Sequence, residues 1–282
     1  MRFAFSTSPQ MCTWKEVLDV WTAADTNPFW ESGWTFDHFE PIMGQPRGGP
    51  CLEGWITLAA LLQSTKRLRG GVLVSGMLYR NPAVLANMAV TLDHTSGGRL
   101  EFGVGAGWNK EESDAYGIEL GSVKARMDRF GEGLEVIQSL FTEDRPSFKG
   151  EYYTLDQAYL EPKPIQKPYP PICIGGSGEK RTLPLVAKYA DHWNFGSAAE
   201  DPIAELARKR EVLDNECAKI GRDPSTIMIS ALLFGPAMSM TRSIDLAGRY
   251  RDAGVDLLIV ALPKPLNPAD LDPYVEALSS LA

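Results

Sequence analysis

At 282 residues and 44% hydrophobic content, the chain is long enough to bury one sizeable core, which sets aside disordered and fibrous classes. Its 28 Lys and Arg face 36 Asp and Glu, and a net charge of -8 repels phosphate backbones and anionic lipid, so neither nucleic acid nor membrane is an expected partner. MRFAFSTSPQ lacks the apolar centre of a signal peptide and no apolar run approaches ~18 residues, so a soluble, cytoplasmic protein acting on a small molecule is expected.

Short apolar runs alternate with helical patterns in chain order. Residues 2–6 predict a first strand, and residues 14–26, with Val17, Leu18, Trp21 and Ala24 on one face, a first helix. Strand two is expected at 33–37, helix two at 52–65 and strand three at 71–74. Asn81 followed by Pro82 reads as a cap and first helical residue, opening a helix that ends at Gly97 and Gly98. Strand four is expected at 100–104 and a long helix at 126–141. Residues 146–171 break the rhythm: the first half suits a small hairpin, and the Pro-rich second half cannot be helical. Strand five (172–175), a helix (180–189), strand six (192–195), a helix (201–220), strand seven (227–233), a helix (242–253), strand eight (256–261) and a closing helix complete the pattern. Eight strand-helix units with continuously apolar strands predict an α/β fold, a (β/α)8 TIM barrel forming one domain over 1–282 with an insertion between strands four and five.

In such a barrel the working residues sit at the carboxyl ends of the strands. Asp37 and His38 fall where strand two leaves the barrel, so the pair is expected at the mouth, with His38 able to take or give a proton near neutrality. The plainer alternative is a turn cap beside a satisfied imidazole. Strand four runs on as EFGVGAGWNKEE, where Gly103, Gly105 and Gly107 alternate and, while the chain stays extended, leave a bare wall for a flat ring; otherwise they only let a coiled strand bend. Strand five ends in ICIGGSGEKR, placing the small residues Gly175, Gly176, Ser177 and Gly178 with Lys180 and Arg181 at a helix start, an expected anion site. Ser75 closes strand three, either donating to a bound ring or merely ending the strand.

Cys12, Cys51, Cys173 and Cys217 lie far apart with no Cys-x-x-Cys pair, and His38, His94 and His192 show no ligand spacing, so neither a disulfide frame nor a metal site is expected.

Asp37-His38-Phe39, the run LYRNPAVLANMAVTLDHTSGGRLEFGVGAGWNKEE (78–112) and ICIGGSGEKRTLPLVAKYADHWN (172–194) together resemble the bacterial luciferase-like superfamily, and more narrowly its oxidoreductases that use the deazaflavin coenzyme F420. The resemblance implies a (β/α)8 barrel in which Asp37 contacts the coenzyme ring region and His38 is the acid or base of hydride transfer. It places Ser75 by the ring, next to a bulge around Val72 and Leu73 where the family often has a non-proline cis peptide. Ala106 and Gly107 would supply backbone contacts, and Gly176, Ser177, Gly178, Lys180 and Arg181 would hold the phosphate-bearing side chain. Family members often form homodimers.

The chain departs from the sugar-phosphate dehydrogenase branch at Trp108, where that branch carries a catalytic Glu, which argues against sugar-phosphate oxidation. Glu111 and Glu112 follow on a short helix as possible substrate contacts. Trp108, with Trp34, Phe39 and Trp193, is expected to line an apolar, aromatic mouth, core packing being the alternative. The expected activity is hydride exchange between F420 and a hydrophobic enone, imine, carbonyl or alcohol. An FMN-dependent monooxygenase and a non-catalytic flavin-binding barrel remain as alternatives.

Overall fold

The computed structural model describes residues 1–282, the side chain of Pro236 excepted. The strands are β1 (Arg2–Ser6), β2 (Trp30–Thr35), β3 (Arg69–Val72), β4 (Ser75–Gly76), β5 (Leu100–Gly105), β6 (Phe148–Lys149), β7 (Thr154–Leu155), β8 (Ile172–Gly175), β9 (His192–Phe195), β10 (Met228–Leu233) and β11 (Leu257–Ala261). The helices are α1 (Trp14–Asp25), α2 (Gly54–Ser64), α3 (Pro82–Ser96), α4 (Lys110–Ala115), α5 (Val123–Thr142), α6 (Thr182–Tyr189), α7 (Pro202–Lys219), α8 (Met240–Asp252) and α9 (Leu271–Leu278). Parallel pairing runs β3-β2-β1-β11-β10-β9-β8-β5, and β5 pairs back to β3, closing an eight-stranded barrel of TIM type. The antiparallel pair β6-β7 is the hairpin expected in the insertion.

Local chemistry sets the helix ends. Thr13 and Glu16 form a reciprocal capping box on α1, Asn81 caps α3 with Pro82 in its first turn, and Gly97 ends α3 at φ 68°. Alternation along the strands then sorts two cores. Phe3, Phe5, Phe102, Trp193, Phe195, Leu258 and Val260 join the large cluster that the strands share with the helices, whereas Ala4, Trp34, Cys173, Leu257 and Ile259 form a separate cluster filling the barrel.

Polar side chains also enter the barrel strands. Arg69 pairs with Glu101, and His192 and Asn194 both bond Ser230, at 2.6 and 2.9 Å. These polar entries explain two differences from the expected strands. β2 begins at Trp30 because Glu31, paired with Arg2, belongs to the strand despite its charge. β3 begins at Arg69 and stops at Val72, and the chain resumes pairing with β5 at Ser75 after a cis peptide bond between Leu73 and Val74.

Candidate active site

The β2 exit carries Phe36, Asp37 and His38 to the carboxyl rim of the barrel. Asp37 and His38 line a cavity of ≈ 560 Å³ there, together with Val74, Tyr79, Ala106, Gly107, Trp108, Arg126, Gly176, Thr182 and Asn194. A cavity of this size is in the range of small-molecule sites, roughly 300 to 1,000 Å³.

Asp37 is buried and gripped from two sides. Arg80 donates from Nη1 to Oδ2 at 2.6 Å and from Nη2 to Oδ1 at 3.0 Å, and Ser75 donates its hydroxyl to Oδ2. Burial pushes the Asp37 carboxyl up, against the opposing pull of Arg80 and Ser75. Ser75 also accepts the indole N–H of Trp55 at 2.7 Å and does not line the cavity, so its hydroxyl serves Asp37 and not a bound ring.

His38 is held by Glu112. Nδ1 lies 2.8 Å from Glu112 Oε2, while Nε2 has no hydrogen-bond partner among the described residues, and His38 lines the cavity. Glu112 sits on α4, capped by Asn109, and its side chain is 1% exposed. Its Oε1 accepts the backbone N–H groups of Phe39 at 2.6 Å and Glu40 at 3.2 Å, and its Oε2 also accepts the hydroxyl of Tyr79 at 2.8 Å. Burial alone would raise this carboxyl; the bonds from His38, the Phe39 backbone and Tyr79 outweigh it and hold the group below the usual carboxylate range. Neither the expected strand pattern nor the helix pattern ties residue 112 to residue 38. Glu111, one position earlier, instead points outward and pairs with Arg47.

The glycine wall takes a different form from the one expected. A Cβ on Gly103 would lie 1.9 Å from the Val72 carbonyl oxygen, and one on Gly105 would lie 2.7 Å from Val74 Cγ2. The two glycines therefore admit the β3 backbone and Val74, and Val74 meets the cavity alongside Gly105, Ala106 and Gly107. Gly107 has left the strand, at φ 80°, and a Cβ there would strike Leu78.

Of the expected aromatic lining, only Trp108 is at the mouth: it is 55% exposed and meets the His38 ring edge-on at 5.5 Å. Trp34 is wholly buried inside the barrel, bonded to Ser32, because its place on β2 points inward below the rim. Trp193 points to the helical shell, where its indole holds the Gly176 carbonyl at 2.9 Å. Phe39 packs on Tyr79 and Tyr116 outside the cavity lining. Met43 and Val123, both exposed, and the half-buried Met127 complete an apolar mouth that composition did not reveal.

The loop after β8 also differs in part. Gly176 lines the cavity at φ 110°, and Ser177 Oγ is buried with no partner. The Gly178 carbonyl accepts the N–H of Thr182 at 2.8 Å and of Leu183 at 3.0 Å, so α6 starts at Thr182 and not at Lys180. Lys180 is exposed, and Arg181 is bound to Asp128, which also takes Lys124 at 2.6 Å. The cation that lines the cavity is Arg126, on the first turn of α5, bonded to the Gly107 carbonyl at 3.1 Å.

A closed parallel barrel with an imidazole, a buried carboxylate and a glycine loop around one rim cavity defines a class of barrel enzymes. The chain belongs to the luciferase-like monooxygenase family, whose model matches residues 1–263. It is 29% identical over 264 residues to an F420-dependent hydroxymycolic acid dehydrogenase of Mycobacterium tuberculosis (strain ATCC 25618 / H37Rv), covering 88% of this chain and 67% of that one. It is 30% identical over 211 residues to the pyrimidine monooxygenase RutA of Enterobacter cloacae subsp. cloacae, covering 73% and 55%. Among solved structures, an F420-dependent secondary alcohol dehydrogenase in complex with an F420-acetone adduct superposes with a TM-score of 0.87 at 22% identity, over 100% of this chain and 99% of the other. The protein is an oxidoreductase. Among the described residues no helix is long and apolar enough to cross a membrane.

Proposed function

We propose that the protein is an F420-dependent oxidoreductase that moves a hydride between the deazaflavin and a small hydrophobic alcohol or carbonyl compound, with His38 as proton acceptor or donor. The observation that carries this reading is the imidazole of His38, fixed at Nδ1 by a buried carboxylate and unbonded at Nε2 on a residue that lines the cavity. A passive flavin-binding barrel has no use for that arrangement.

The residues present fit the coenzyme. Val74, Ala106 and Gly107 offer an apolar floor for a flat ring system, and the Gly176 backbone beside the orphaned Ser177 hydroxyl suits a phosphate at the rim of the cavity. Arg126 would add the positive charge. When bound, the coenzyme supplies or accepts the hydride. In alcohol oxidation, His38 Nε2 takes the hydroxyl proton as the carbonyl forms; in the reverse reaction the imidazolium returns it. Such a positioned acid or base contributes typically ~10² to 10⁴-fold. Trp108, Met43, Val123 and Met127 give the mouth an apolar lining that favours an apolar substrate.

The relatives named for F420-dependent dehydrogenation of hydroxymycolic acid and of secondary alcohols support the alcohol and carbonyl reading. The pyrimidine monooxygenase supports a second reading, an FMN-dependent monooxygenase, since the same cradle suits the flavin phosphate. Titration of the purified chain with F420 and FMN side by side tests the choice. Saturable binding of F420 at concentrations where FMN is not bound is expected, and the opposite preference overturns it.

A further inference from the structure

Glu112 does more than neutralise its surroundings. The carboxylate has a division of labour between its oxygens: Oε1 takes two backbone N–H groups, from Phe39 and Glu40, and Oε2 takes Tyr79 and His38. An ionised carboxylate can only accept, so the imidazole nitrogen facing it must carry a proton. We propose that Glu112 is the positioning residue of this site, keeping the proton of neutral His38 on Nδ1 so that the Nε2 lone pair faces the cavity. The role is indirect, since Glu112 is buried behind His38 and does not line the cavity.

The backbone donors make this more than a contact. They hold the residue at position 112 by one oxygen in a fixed orientation, so a glutamine there keeps its carbonyl on Phe39 and Glu40 and turns its NH2 toward His38 and Tyr79. That amide donates to Nδ1, and the neutral imidazole must then carry its proton on Nε2. Shape and burial are almost unchanged, while the nitrogen facing the cavity changes from acceptor to donor. The negative charge that stabilises the imidazolium after proton uptake is lost as well. As a base, the site fails without any substrate contact having been altered.

The inference rests on the function proposed above for its catalytic consequence, but its structural content is testable without coenzyme or turnover. The test is a long-range ¹H–¹⁵N spectrum of the full chain with ¹⁵N-histidine, at a pH where the imidazole is neutral, with the His38 signals assigned by His38→Gln. The wild type is expected to show protonated Nδ1 and unprotonated Nε2, and Glu112→Gln the reverse. Glu111→Gln, outside this network, is expected to match the wild type. A wild-type His38 protonated on Nε2 overturns the inference even if Glu112→Gln fails to fold, and so does an unchanged tautomer in a folded Glu112→Gln protein.

In turnover with F420 and an alcohol, Glu112→Gln is expected to lower kcat by ~100-fold, with the F420 Kd unchanged. Equal loss of kcat and of coenzyme binding would mark Glu112 as merely structural. If the wild type shows no turnover at all, the proposed function falls and the spectrum decides the tautomer alone.

Discussion

Arg80 clamps Asp37 through both carboxylate oxygens, at 2.6 and 3.0 Å, where the Asp37 side chain is 0% exposed. Removing one partner of a buried pair leaves the other charge without compensation, a loss of about 3–5 kcal/mol. Arg80→Met is therefore expected to lower the unfolding free energy from urea denaturation by an amount in that range. Adding Asp37→Asn should recover part of the loss, because the stranded charge is then gone. Additive losses from the two substitutions would show that the pair is not coupled.

Acid stability should carry the mark of His192. This imidazole is buried in the barrel with Nε2 on Ser230, and burial, helped by the charge of Arg2, pushes its pKa down to about 3 from 6.5. The unfolded chain takes up a proton near 6.5 that the folded chain refuses. The stabilising contribution is thus complete above pH 6.5 and is lost as pH falls toward about 3. Within that window this one group makes unfolding easier by up to about 1.4 kcal/mol per pH unit. The difference in unfolding free energy between wild type and His192→Gln, followed against pH, should show that slope; a flat difference contradicts it.

Two glycines should respond to alanine in opposite directions. A Cβ at Gly103 would sit 1.9 Å from the Val72 carbonyl oxygen, which forces β3 and β5 apart, whereas one at Gly131 meets only Leu185 at 3.6 Å. Gly103→Ala is expected to lose about 3 kcal/mol or more by overpacking. Gly131→Ala, in the middle of α5, should gain roughly 0.5–1 kcal/mol from helix propensity. Denaturant midpoints of the two variants check the pair.

Much of this architecture could be read from residue order, and the failures share a cause. β1, β8 and β9 fall where the apolar runs placed them. β2 and β3 begin earlier than those runs because Glu31 and Arg69 find partners in Arg2 and Glu101, so the strand starts are charged and do not look like strands. Trp34 and Trp193 were each expected at the mouth, but strand parity sends one into the barrel and the other to the helical shell. The polar neighbours His192 and Asn194, on the same strand as Trp193, were the available signal of which face points inward. The bond from Glu112 to His38 spans 74 positions, and nothing local encodes it beyond a capped short helix with two adjacent glutamates. In the sequence Arg126 reads as one more cation on an amphipathic helix; the fold brings it to the cavity beside the Gly107 carbonyl.

Coenzyme affinity should depend more on Arg126 than on the two cations that the residue order singles out. Arg126 lines the cavity, while Arg181 is already paired with Asp128 and Lys180 is exposed. Loss of a hydrogen bond to a charged group is worth about 1.5–3 kcal/mol, so Arg126→Ala should weaken F420 binding by roughly tenfold to a hundredfold. Lys180→Ala should change it by less than about threefold, as an exposed charge does. Fluorescence titration of the three proteins measures both, and equal losses would contradict the assignment.

An anaerobic assay with oxidised F420 and a series of secondary alcohols puts the proposed chemistry to its plainest trial. The expected result is reduction of the coenzyme in step with ketone formation, at a rate that falls ~100-fold or more in His38→Ala while F420 still binds. No coenzyme reduction with any alcohol or ketone, together with oxygen uptake once reduced FMN is supplied, would contradict it.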